Sequence, residues 1–157
     1  MKLEKEQIIK DAYDAFSECK RPDHFTNYLH CDECNEHDQT MRSATLETLD
    51  SKHLGCAGWA PFSFLTEEGF AYYMPRILEL AITGKDNAHG ELFLNDILFN
   101  LTPTDEYNRF KHYTIEQSRS VLNALRYAKD NFLDELMDYA AEGDLDNAIA
   151  YWQDAAT

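Results

Sequence analysis

The chain has 157 residues, 44% of them hydrophobic and 13% aromatic, and its 29 acidic side chains outnumber 14 basic ones for a net charge of −15. That is too apolar for a disordered chain, and the length suits one helical domain over residues 1–157 that buries about 70% of its unfolded surface without disulfides or metal. The charge excludes nucleic acid as a partner, because phosphate binding draws on Lys and Arg contacts. It argues against an anionic membrane surface too, and it suits a protein partner with a basic surface or simple solubility.

The first seven residues alternate charge and lack the apolar stretch of a signal peptide. The longest apolar-rich stretch, residues 70–82, contains Pro75, Arg76 and Glu79 and is too short and polar to span a bilayer. A cytoplasmic location is expected. The four cysteines then read as thiols or metal ligands before disulfides.

Residues 3–19 predict a first amphipathic helix, with Ile8, Ile9, Ala12, Tyr13 and Phe16 on one face. Arg21-Pro22 ends it. A polar stretch rich in His and Cys runs from 23 to 40, and a second helix is expected over 38–49. The glycines and proline of 53–61 mark a loop, with room for a short strand near Trp59. Thr66 reads as a helix N-cap, with Leu65 and Phe70 spaced as a hydrophobic staple. That helix runs to Ile82 and stops at Gly84, with Pro75 expected to kink or split it.

A short apolar helix is expected over 91–101. Thr114 and Gln117 form a capping-box pattern that opens the longest helix, 115–142. Its buried stripe is Val121, Leu122, Leu125, Ala128, Phe132, Leu136 and Tyr139. Gly143 reads as a left-handed stop, and Asp144 as the cap of a last helix that buries Leu145, Ala148, Ile149 and Trp152. No strand pattern or internal repeat interrupts this order. The fold class is all-α, a compact bundle of about six helices with a Cys/His-rich loop.

Chemistry concentrates in His30-Cys31-Asp32-Glu33-Cys34-Asn35-Glu36-His37-Asp38. Cys31 and Cys34 are spaced so that two thiolates reach one tetrahedral ion, and His37 can add a nitrogen. His24, His30, His53, Cys19 and Cys56 are candidates for a fourth ligand; adjacent His30 and Cys31 are expected to compete for one ion. If the segment is helical, His30, Cys34 and His37 share one face instead, leaving an open position of the catalytic type. Glu33, Glu36 or Asp38 would then serve as general base. Thiolate plus imidazole suits zinc, with iron or nickel as the alternatives.

A redox pair is disfavoured because no βαβ pattern surrounds the cysteines, and the deaminase order of zinc ligands is absent. The aromatic run from Trp59 to Tyr73 reads as core packing before pocket lining. The acidic set Asp130, Asp134, Glu135 and Asp138 reads as a solvated helix face before a carboxylate metal site. His89 and His112 are isolated.

Two stretches together, residues 22–38 around His-Cys-x-x-Cys-x-x-His and residues 59–75 beginning Trp-Ala-Pro-Phe, resemble a family of small bacterial proteins of unknown function. The family pattern carries an acidic residue where this chain has Ala60. The resemblance implies a bacterial cytosolic protein and favours His30, Cys31, Cys34 and His37 as ligands over Cys19 and Cys56. It implies no activity. Two functions are therefore expected: a binding or regulatory module whose loop is pinned by zinc, or a metal-dependent hydrolase.

Overall fold

A computed structural model describes residues 3–55, 59–84, 86, 90–104, 106–136 and 139–157, with backbone alone for 139–142. Among them are seven α-helices and no β-strand, so the all-α class holds. β-type pairing among the described residues is confined to isolated bridges, which include Thr26 with Leu65 and Asp86 with Leu92. Trp59 is itself a bridge residue, and no strand is built around it among the described residues. Among the described residues no helix is long and apolar enough to cross a membrane.

Helix α1 is Lys5–Ala15 and buries Ile8 and Ala12. It is shorter than the pattern predicts, because Phe16 leaves the helical region and the Cys19 N–H turns back to the Phe16 carbonyl. Helix α2 is Asp32–Ser43, six residues upstream of the expected helix and through the middle of the expected loop. Its buried residues Cys34, His37, Asp38 and Met41 fall at i, i+3, i+4 and i+7, one helical face whose polar members hid it from an apolar count. Asp32 and Glu33 in the first turn suit the positive end of the helix dipole.

Helix α3 is a single turn, Ser51–Leu54, in which Asp50 and His53 cap each other. A 3-10 turn, Pro61–Phe64, leads into α4, Glu67–Ile82. Thr66 Oγ1 accepts the Gly69 N–H at 3.0 Å, as the N-cap pattern predicts, and Gly84 takes a φ of +73° to stop the chain after α4. Pro75 does not split α4; it is buried mid-helix, where packing offsets the missing N–H. The expected helix over 91–101 is instead a turn of α5, Leu94–Ile97, followed by a 3-10 turn, Leu98–Leu101.

Helix α6 is Ile115–Phe132, opened by the full capping box of Thr114 and Gln117. It ends well before residue 142, in a 3-10 turn, Leu133–Glu135. The last helix, α7, is Tyr139–Ala155, so Gly143 lies inside it and Asp144 is no cap. Leaving α6 early buries Leu136 at 9% exposure and gives α7 the length to seat Leu145, Ala148 and Trp152, all at 0%. That burial outweighs the roughly 1 kcal/mol a helical glycine costs.

The core lies where α6 packs against α1, α4 and α7. Trp152 is its largest buried side chain, and its indole N–H donates to the Leu101 carbonyl at 2.8 Å. Phe62, Phe70 and Tyr73 of the aromatic run are also core residues. The Tyr73 hydroxyl reaches the carbonyls of Met41 and Ala44 at 2.7 and 2.8 Å, which ties the end of α2 to α4.

Candidate metal centre

The cluster is built by the N-terminus of α2. Cys31 is the N-cap residue in extended conformation, and its sulfur accepts the Cys34 N–H at 3.4 Å. This turns the Cys31 side chain back over the first helical turn, beside Cys34. The two sulfurs are 3.2 Å apart, and His30 Nδ1 is 3.7 Å from the Cys34 sulfur. The ligand atoms of His30, Cys31 and Cys34 all lie within 4.8 Å of one another. In a tetrahedral zinc site, bonds of about 2.0–2.3 Å put ligand atoms about 3.5–3.8 Å apart. The three atoms are therefore spaced so that they could hold one ion.

The site is asymmetric. Cys34 is 6% exposed, whereas Cys31 and His30 lie at the surface. The Cys34 N–H and then the His30 side chain draw the Cys31 thiol down to a pKa of about 7. Sharing a proton with Cys31 pushes the Cys34 thiol up, helped by burial. Cys31 is thus the first of the pair to ionise.

A buried polar network holds this turn in place. Asp38, at 1% exposure, accepts the N–H groups of Phe25 and Thr26 through Oδ1 at 2.6 and 3.2 Å. Its Oδ2 lies 2.7 Å from His24 Nδ1, and the His24 ring stacks on Tyr28 at 3.7 Å. Thr26 donates its hydroxyl to the Cys34 carbonyl at 2.7 Å. The Thr66 N–H bonds the Phe25 carbonyl at 2.8 Å, so residues 25 and 26 are clamped between α2 and the start of α4. Asp38 is a structural acceptor in this arrangement rather than a base facing the cluster. Neither it nor Thr26 carries a sequence signal by itself; the helical spacing of Cys34, His37, Asp38 and Met41 is the signal that would have found Asp38.

The structure gathers three of the four ligand candidates and places His37 apart from them. Its ring lies between Trp59 and Phe64, with centroids 4.8 and 5.0 Å away. Its Nε2 is buried with no hydrogen-bond partner and stands 3.8 Å from Glu33 Oε1. Burial lowers its pKa, so the ring is held neutral. The face shared by His30, Cys34 and His37 does not form as expected, because the helix begins at Asp32 and His30 precedes it. Instead the neighbours His30 and Cys31 both approach Cys34, which the bend at His30 allows.

The remaining candidates are occupied elsewhere. His53 Nδ1 accepts the Asp50 N–H at 3.0 Å. Cys19 is half-buried, accepts from Gln117 Nε2 at 3.7 Å, and has its pKa raised by burial. His112 Nδ1 sits 2.6 Å from Glu67 Oε1. Asp134 and Glu135 are exposed in the turn after α6. Cys56, His89 and Asp138 lie outside the described residues.

No curated protein and no solved structure matches the chain. A family model covers residues 4–156, nearly the whole of the fold described above. The chain therefore belongs to a family of unknown function, DUF6714.

Proposed function

We propose that the protein binds zinc through His30, Cys31 and Cys34, and that the ion pins the polar segment ahead of α2 in a binding or regulatory module. One observation carries this reading: three soft or borderline ligand atoms converge within 4.8 Å. Two thiolates and an imidazole are a donor set that suits zinc. His37 is the candidate for the fourth position and would have to turn out from between Trp59 and Phe64; otherwise water completes the shell. The segment is poor in apolar residues, so an ion offsets the entropy of ordering it. The net charge of −15 makes a basic protein surface the fitting partner.

A three-ligand site with two ligands at the surface also supports a second reading, a metal-dependent hydrolase. Water at the fourth position would be the nucleophile, and Glu33 or Glu36 the proton acceptor.

The test is zinc reconstitution followed by elemental analysis of the wild type, Cys34→Ser and His37→Gln. One ion per chain in the wild type and none in Cys34→Ser is the expected result. Loss of the ion in His37→Gln as well assigns the fourth position to His37. A wild type that retains no metal overturns both readings. Chelation that lowers the melting temperature by several degrees supports the structural role. Metal-dependent turnover of an ester or amide substrate with no such shift supports the hydrolase.

A further inference from the structure

The two sulfurs are also arranged for chemistry that needs no metal. Cys31 is exposed at the N-cap of a twelve-residue helix, and Cys34 is buried one turn in. Their sulfurs are 3.2 Å apart. A disulfide bond is about 2.05 Å long, so closure requires an approach of about 1.2 Å. Cys31 is exposed and precedes the helix, so its side chain is the one placed to make that approach.

We propose that, free of metal, Cys31 and Cys34 form a thiol–disulfide exchange site, with Cys31 the attacking sulfur and Cys34 the resolving one. Burial decides the order, because an external disulfide reaches only Cys31. The Cys31 thiolate attacks one sulfur of a low-molecular-weight disulfide. A mixed disulfide forms and one thiolate leaves. Cys34 then gives up its proton to the departed thiolate, and its sulfur attacks Cys31. The Cys31–Cys34 bond forms, the mixed bond breaks, and the second thiolate leaves to take the proton that Cys31 had lost. Two protein thiols are oxidised by two electrons, and one external disulfide is reduced to two thiols. A protein disulfide offers no thiolates to a metal, so oxidation would release zinc; that consequence rests on the zinc reading, whereas the exchange itself does not.

The test uses the full chain, reduced and stripped of metal, equilibrated with set ratios of reduced and oxidised glutathione. The samples are then acid-quenched, alkylated and mapped by peptide mass spectrometry. The expected result is loss of two of the four thiols, with residues 31 and 34 linked, and recovery of both in excess reduced glutathione. Cys34→Ser should accumulate glutathione on Cys31, and Cys31→Ser should leave Cys34 unmodified. Absence of the 31–34 linkage at the most oxidising ratio overturns the proposal, as does glutathione on Cys34 in Cys31→Ser. The same oxidation of zinc-treated protein separates the two claims. Zinc retained with no linkage in the metal-free sample sinks only the exchange. A linkage that forms equally fast with and without zinc supports the exchange and counts against zinc.

Discussion

Asp38 Oδ1 accepts the Phe25 N–H at 2.6 Å from inside the protein, so a carboxylate on α2 fixes the backbone that precedes the cysteine cluster. The same oxygen takes the Thr26 N–H, and Thr26 in turn bonds the Cys34 carbonyl. Asp38→Ala would strand two donors in the interior, and each buried unsatisfied group costs about 1–3 kcal/mol. A loss of about 2–4 kcal/mol in urea unfolding is expected, with Asp38→Asn losing less because its carbonyl still accepts. Equal losses in the two variants would show that the N–H contacts are not what matters.

Gly69 tests the other side of that clamp. A Cβ there would lie 2.9 Å from the Phe25 carbonyl oxygen and 3.1 Å from Phe25 Cα. Helix propensity alone makes Gly→Ala favourable by about 1 kcal/mol. The clash is with backbone, so strain should win and Gly69→Ala should destabilise by about 1–3 kcal/mol. A gain in melting temperature would mean that residues 25 and 26 give way freely.

Cys31 and Cys34 should differ in reactivity. In metal-free, reduced protein, iodoacetamide should label Cys31 first, with a rate that rises through a pH of about 7. Unfolding should move that midpoint up toward about 8.5, and His30→Ala should move it part of the way. Peptide mapping that finds Cys34 labelled first would reverse the assignment.

His37 gives a pH signature. Burial lowers its pKa in the folded state, so the unfolded chain binds more protons in the range just below the reference value of about 6.5. Its contribution to stability is therefore full above that value and is lost as pH falls through the folded pKa. In metal-free protein the stability of His37→Gln should fall less steeply below pH 6.5 than that of the wild type, by at most about 1.4 kcal/mol per pH unit. Identical slopes would place the ring in water.

Much of this arrangement is legible in the sequence, and the illegible part has physical causes. The caps at Thr66 and Thr114 show because their chemistry is local, three residues across. The stop at Gly84 shows because a positive φ favours glycine. Helix α2 is hidden because its inward face is Cys, His and Asp rather than Leu and Ile, and its cap is a thiol. The break after Phe132 is hidden because no glycine or proline marks it; tertiary burial of Leu136 and Trp152 decides it instead. The convergence of Cys31 and Cys34 follows from spacing, whereas the approach of His30 and the seclusion of His37 depend on where the helix begins.

In the proposed site two sulfurs and an imidazole nitrogen bind one zinc ion. X-ray absorption at the zinc edge, on reconstituted protein freed of excess metal, reads that coordination directly. Two sulfur neighbours at about 2.3 Å and at least one nitrogen at about 2.0–2.1 Å are expected. An ion surrounded only by oxygen and nitrogen, or no zinc left on the protein to measure, would contradict the proposal.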